Sequence, residues 1–159
     1  MTEDLPPSAA RVKAAADARG LAITIEVMPG TTRTAEEAAA ACGCDVAQIV
    51  KSLVFMGASS GEPKLLLVSG RNRVDERKVA GLIGEGLTRP DGRTVREITG
   101  FAIGGIPPLG HDRPMAVFMD EDLLTFPTVW AAAGTPFAVF ASAPAALHEA
   151  TGATVIPMT

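Results

Sequence analysis

Gln48-Ile49-Val50-Lys51-Ser52-Leu53-Val54-Phe55-Met56, answered downstream by Pro63-Lys64-Leu65-Leu66-Leu67-Val68, is the stretch that decides the fold. Val50 to Met56 is β-branched and apolar and reads as a strand, with Pro63 to Val68 as its partner. The connecting GASSGEP has the small, polar composition of a hairpin loop. Just upstream, Asp45-Val-Ala-Gln48 has the spacing of a capping box for a short helix. Thr34-Ala-Glu-Glu37 has the same spacing and opens an alanine-rich helix that runs through Cys42.

Further out, Pro6 to Arg19 reads as a first helix, with Ser8 as a candidate cap and Gly20 just past its end. Ile23 to Met28 reads as a strand stopped by Pro29-Gly30. On the other side, Val74 to Ile83 reads as a helix with Asp75 near its cap, and Arg93 to Thr99 as a shorter one. The glycine- and proline-rich GFAIGGIPPLGHDRP (100–114) follows, then a buried-type strand, Met115 to Met119. Val129 to Ala133 and Pro136 to Phe140 read as strands bent at Gly134-Thr135. Ser142 is the expected cap of a last helix to about Thr151, and Ala153 to Ile156 a closing strand. Strands and helices alternate without a regular βαβ period, which predicts one mixed α/β (α+β) domain over residues 1–159 instead of a doubly wound fold.

The 159 residues fit one domain and are enough to bury a core. With 47% hydrophobic and 20% charged residues the chain is not a disordered tail. No apolar run approaches the ~18–20 residues of a membrane span. The start, MTEDLPPSAA, carries two acids and no apolar h-region, so no leader is expected and a cytoplasmic location is. Aromatic content of 4% argues against a stacking platform for single-stranded nucleic acid.

Motifs that carry chemistry are few. Gly57-Ala-Ser59-Ser-Gly61 fits G-x-S-x-G, but that nucleophile elbow needs a helix after it, and here a second strand follows. Cys42-Gly-Cys44 is a lone C-x-C, and His111 and His148 have no companions at zinc-like spacing, so no metal is expected. His148 reads as a surface residue, whereas His111 abuts the glycine-rich loop and is a candidate site residue. With no phosphate loop, G-x-G-x-x-G or H-E-x-x-H, an enzyme built on this chain would work by positioning, backbone donors and a cation. Lys51 is a lone ammonium in an apolar passage, either a strand-edge lysine that snorkels to water or a cation facing a cleft. Gly104-Gly105-Ile106-Pro107-Pro108-Leu109-Gly110 would give a rigid loop that a ligand's carbonyl can approach closely.

In these features the chain resembles the YbaK family, free-standing relatives of the editing domain inserted in bacterial prolyl-tRNA synthetases. The landmarks run from about Thr34 to Ile156: Thr34-x-Glu-Glu-Ala-Ala, Gln48-Ile-Val-Lys51-Ser-Leu-Val-Phe, Val74-Asp-x-x-Lys78, Thr99-Gly-Phe-x-Ile-Gly104-Gly105-x-x-Pro108-x-Gly110, Asp120-Glu-x-Leu123 and Ala133-Gly-Thr-Pro136. The resemblance implies a mixed, partly barrel-like sheet surrounded by helices. It also implies hydrolysis of mischarged aminoacyl-tRNA in trans, without metal or organic cofactor and largely substrate-assisted. The alternative is a non-catalytic tRNA- or synthetase-binding module. The family's catalytic lysine falls on Lys51, and Gly104 and Gly105 are the implied backbone donors. Thr34, Ser52, Ile106, Pro107, Pro108, Gly110, His111, Ala132 and Gly134 are the implied substrate-binding positions. The implied partners are the 3′ end of an aminoacyl-tRNA and a prolyl-tRNA synthetase. Cysteinyl-tRNA deacylases of the family tend to read Ser-Ala-Gly where this chain has Ala132-Ala133-Gly134, and Ser where it has Pro107. Lost hydroxyls widen the expected amino acid to Ala, Ser, Thr, Cys or 2-aminobutyrate, carried by tRNA-Pro, because an apolar pocket discriminates poorly between near-isosteres.

Charge is unevenly distributed. Residues 51–96 hold nine basic side chains and five acidic ones, although the chain's net charge is −4. That middle segment is either a phosphate-binding face or a solvated helix face with Arg77 and Lys78 paired to acids.

Overall fold

The computed structural model describes residues 5–159; Met1–Asp4, within the stretch read for a leader, lie outside the described residues. Eight strands form one mixed sheet: β1 (Ile25–Val27), β2 (Ile49–Gly57), β3 (Pro63–Ser69), β4 (Leu87–Thr88), β5 (Ala116–Asp120), β6 (Val129–Ala132), β7 (Ala138–Ser142) and β8 (Thr154–Ile156). Their order is β1-β7-β6-β2-β3-β5-β8, with β4 attached to β2. The sheet is open, running from β1 at one end to β8 at the other. β2–β6, β3–β5 and β5–β8 are parallel and the other pairs antiparallel.

Five helices surround the sheet: α1 (Pro7–Ala18), α2 (Ala35–Cys42), α3 (Glu76–Ile83), α4 (Gly92–Thr99) and α5 (Pro144–Thr151). None is long and apolar enough to cross a membrane. Both expected capping boxes form: Thr34 with Glu37 at the start of α2, and Asp45 with Gln48 at a 3₁₀ turn, Val46–Gln48. Two expected caps do not. α1 opens on Pro6-Pro7 and α5 on Ala143-Pro144, with no side-chain cap bond at either. Pro6 and Ala143 hold the N-cap positions, so Ser8 falls inside the first turn of α1 and Ser142 one residue before the cap of α5. The Ser142 hydroxyl instead donates to Ala143 O at 2.9 Å.

Strand β3 of the central hairpin is buried on both faces, as a continuous apolar run requires. Leu65 and Leu67 of β3 face a core shared with Val12 of α1, Val95 of α4, Leu147 of α5 and Phe101, Ile106 and Leu109 of the glycine-rich loop. Leu66 and Val68 face a second core with Phe55, Val79 of α3 and Met158.

The register of β2 creates the cleft. Gly57 N–H donates to Glu62 O (2.9 Å) and Gly70 N–H to Ile49 O (2.8 Å), so the odd-numbered residues of β2 bond to the β3 side. In an antiparallel ladder the alternate residues turn their backbone groups the other way. On that other edge β6 pairs only with Ile49 and Val50, and β4 only with Met56 and Gly57. Between them the N–H and C=O groups of Ser52 and Val54 face a gap in the sheet.

Candidate functional site

A cavity of about 360 Å³ opens onto this gap. Thr32 to Ala35 and Ala38 close one side, from the approach and first turns of α2. Arg89 and Pro90 after β4, Val95 of α4, Ile103, Gly104 and Ile106 of the loop, and Trp130, Ala131 and Ala132 of β6 complete the wall. Six of the sequence-expected site residues are thus brought together from four separated segments: Thr34, Lys51, Ser52, Gly104, Ile106 and Ala132.

Lys51 donates from Nζ to Asn72 O at 2.5 Å. Asn72 is itself held, its amide donating to the carboxylates of Asp120 (2.8 Å) and Asp122 (2.7 Å). Asp120 is fully buried and also accepts the N–H groups of Ser69 and Asp122, both at 3.0 Å. Among the described residues no carboxylate lies within 4 Å of Nζ, so the ammonium is anchored without being neutralised by contact. Burial pushes its pKa below 10.5, partly offset by Glu36 and Asp120, with Arg73 adding to the depression.

On the opposite face of β2, the Ser52 hydroxyl is buried and has no hydrogen-bond partner among the described residues. Such a group costs about 1–3 kcal/mol. Thr34 lines the cleft, but its Oγ1 accepts Glu37 N–H at 3.1 Å and serves the helix. Gly104, at φ +97°, lies under Arg33: a Cβ there would sit 2.6 Å from Arg33 Cγ. No hydrogen-bond partner of the Gly104 N–H occurs among the described residues.

The other expected residues stand behind the cleft. Gly105 donates its N–H to Ala102 O (3.1 Å) and accepts Gly134 N–H (2.9 Å). It is therefore loop scaffolding and not the second free donor, and Gly134 joins the two loops without lining the cavity. Pro108 and His111 line a separate cavity of about 160 Å³ with Arg19 and Arg113. His111 Nε2 lies 2.7 Å from Pro107 O, and a carbonyl can only accept, so Nε2 carries the proton. Burial lowers the imidazole's pKa and favours its neutral form. Gly110 packs on Ala15 of α1. Pro107, Pro108, Gly110 and His111 thus shape the loop from the side away from the cavity.

Several lining residues escaped the sequence reading. Arg33 directly precedes the α2 capping box, and Arg89 directly follows β4, a two-residue strand too short to leave a pattern. Trp130, the single tryptophan, sits on β6 at the edge of the gap. Arg89 is paired with Glu76, whereas Arg33 has no carboxylate within 4 Å among the described residues. Of the basic middle segment, Lys64 pairs with Glu85 (3.2 Å) and Arg93 more loosely with Glu97 (3.9 Å). Arg77 and Lys78 make no ion pair among the described residues; Lys78 Nζ reaches Thr159 O. Cys42 ends α2, and burial pushes its thiol up to about 11, so at neutral pH it is a protonated side chain and not a nucleophile.

The lining thus presents Arg33, Lys51 and Arg89 and no carboxylate, imidazole or thiol. The fold and lining define a class of site, a cationic, partly apolar cleft in a mixed α/β domain. Such a cleft can meet an anionic or carbonyl-bearing ligand with charge and backbone donors, and its lining holds no side-chain base. The chain belongs to the aminoacyl-tRNA editing domain family, whose model matches residues 30–150. It is 32% identical over 120 residues to the uncharacterized protein YwhH of Bacillus subtilis (strain 168), covering 75% of each chain. It is 31% identical over 105 residues to the proline–tRNA ligase of Limosilactobacillus fermentum, which spans 64% of this chain and only 18% of the ligase. A solved structure described as a candidate trans-editing enzyme for prolyl tRNA synthetase superposes with a TM-score of 0.92 at 50% identity, covering 98% of this chain and 99% of that one. Helix α1 precedes the residues matched by the family model.

Proposed function

We propose that the chain is a deacylase acting in trans on mischarged aminoacyl-tRNA, with tRNA-Pro bearing a small wrong amino acid as its substrate and the cytoplasm as its place of work. The observation that carries the reading is the cleft's lining, three cations and no acid or imidazole. A water oxygen attacks the ester carbonyl, the bond to the terminal ribose oxygen breaks, and that oxygen leaves with a proton as free amino acid and tRNA form. A hydroxyl of the terminal adenosine relays the proton, taking one from the attacking water as it passes its own to the leaving ribose oxygen, and a Ser, Thr or Cys side chain of the substrate can do the same. Lys51 and the Gly104 N–H stabilise the negative charge that develops on the carbonyl oxygen or on the neighbouring phosphate. The apolar wall of Ile106, Ala131 and Ala132 takes the amino-acid side chain. The similarity to prolyl-tRNA synthetases supports tRNA-Pro as substrate and a prolyl-tRNA synthetase as partner.

Release of amino acid from tRNA-Pro charged with Ala, Ser, Thr, Cys or 2-aminobutyrate tests class and specificity together. Wild type should release at least one of them, and Lys51→Ala should be slower by roughly 100-fold, the scale of losing one charge-stabilising group. Full activity in Lys51→Ala would remove the lysine from the mechanism. Retention of mischarged tRNA without release would identify a binding module instead. Binding should also weaken steeply as salt rises, since phosphate contacts release counterions.

A further inference from the structure

We infer that Arg11, on helix α1 and outside the cleft, is a positioning residue that clamps the neck of the loop carrying Gly104. The inference rests on the proposed role of that loop, but its structural half can be measured without any substrate.

The Gly100–Gly110 loop begins and ends on glycines in the left-handed region, at φ +82° and +90°. Its ends are drawn together below it by backbone bonds, Asp112 N–H to Thr99 O (3.0 Å) and Arg113 N–H to Ile98 O (3.1 Å). Phe101, Ile106 and Leu109 pin the loop into the core and the Gly134–Gly105 bond ties it to its neighbour, so the closed neck sets the placement of the residues between those anchors. Arg11 reaches this neck from α1. Its Nη1 donates to Gly100 O (3.3 Å), and its Nη2 to Gly110 O (3.4 Å) and to Asp112 Oδ1 (2.6 Å). The guanidinium carbon also stands 4.5 Å over the centre of the Phe101 ring, a cation–π distance. One planar fork therefore touches both ends of the loop, its first buried anchor and Asp112, two residues past its end.

Space around Gly100 fits the same reading, because a Cβ there would lie 3.0 Å from Arg11 Nη1 and against the Asp112 carboxylate. Above the clamp, Phe101 meets His111 edge to face at 6.3 Å, and His111 bonds Pro107 O. The chain of contacts runs from Arg11 through Phe101 and His111 to the segment that follows Gly104 and Ile106 in the cleft wall. Lysine could not replace this fork, since a point charge cannot address two carbonyls, a carboxylate and a ring at once.

Arg11→Ala and Asp112→Asn are compared with wild type by amide hydrogen exchange, residue by residue. Exchange at the bonded amides of Phe101, Gly105, Asp112 and Arg113 should rise about ten-fold in both variants while β2 and β3 stay protected, as expected for local opening. In the same Arg11→Ala protein, kcat for deacylation should fall roughly ten-fold or more with KM little changed, because a misplaced donor loses transition-state stabilisation. Millimolar guanidinium, but not urea, should restore part of kcat, which a merely structural defect would not allow. Wild-type exchange in the loop of Arg11→Ala would overturn the inference whatever the activity. If wild type releases no amino acid from any tRNA, the proposed function fails while raised loop exchange still establishes the clamp. Should Arg11→Ala lose its cooperative unfolding transition, Arg11→Lys carries the test: faster exchange at those amides supports the clamp, and unchanged exchange overturns it.

Discussion

The hairpin loop after β2 and the Gly100–Gly110 loop are both rich in small residues and turned by left-handed glycines, yet opposite charges hold them. Glu85 accepts the N–H groups of Ser59 (3.0 Å) and Ser60 (2.8 Å) and the Ser60 hydroxyl (2.9 Å), with Lys64 against its other face. Arg11 donates to the carbonyls of Gly100 and Gly110. An anion in the hairpin consumes the loop's donors. A cation at the neck of the second loop consumes its acceptors and leaves the Gly104 N–H for another partner. A loop clamped through its carbonyls can therefore serve a ligand that brings negative charge, and a loop clamped through its N–H groups cannot. The serine in the G-x-S-x-G pattern sits in the loop of the wrong polarity.

Packing offers the hardest way to break the contrast. A Cβ on Gly105 would sit 2.7–2.8 Å from the backbone of Thr135, which has no rotamer to move away. Gly105→Ala should cost about 1–3 kcal/mol in urea denaturation, the range for forced overpacking, and should disturb the cleft with it. Gly61 in the hairpin has φ +70° and open space around it. Gly61→Ala meets only the left-handed penalty, about 1–2 kcal/mol, and should leave deacylation unchanged. Equal losses of activity in the two variants would erase the distinction between the loops.

A smaller effect is expected from pH. Hydrogen bonds from Ser60 and Ser59 and the Lys64 ammonium lower the Glu85 carboxyl from 4.5 to about 2. Because the folded value lies below the unfolded one, its stabilisation is complete above about pH 4.5 and fades as pH falls toward 2. Glu85→Gln should lower Tm at neutral pH and flatten the acid limb of the Tm profile across that window. A variant whose acid limb matches wild type would show that Glu85 does not hold the hairpin. The smallest change is expected for Ser59→Ala, with deacylation within about two-fold of wild type, as for an exposed substitution away from the site. A large loss there would return the serine to the chemistry.

How much was legible followed from how local each signal is. Both capping boxes were readable because donor and acceptor lie three residues apart. The β2–β3 hairpin was readable because both strands carry unbroken apolar runs on either side of a small-residue turn. β4 was not, since Leu87 and Thr88 are a strand only by virtue of the end of β2. Ser8 and Ser142 misled because the Pro7 and Pro144 starts put the N-cap on Pro6 and Ala143 instead. Within the site, Lys51 stood out as a charge in an apolar run, and Gly104 as part of a glycine-proline cluster. Arg33 and Arg11 carried no such mark, because each gains its meaning from a glycine far along the chain.

The sequence by itself determined most of the elements and the mixed α/β class, and it marked Lys51 and the glycine-proline loop as candidates. Those properties are set by side-chain chemistry repeated over a few neighbouring residues. Tertiary structure alone decided that β6 and β4 leave the middle of β2 open, that Gly105 and Gly134 bond each other behind the wall, and that Pro108 and His111 face a different cavity. Each of these is a contact between segments tens of residues apart, and strand register and loop closure, which local pattern does not encode, fix where those segments meet.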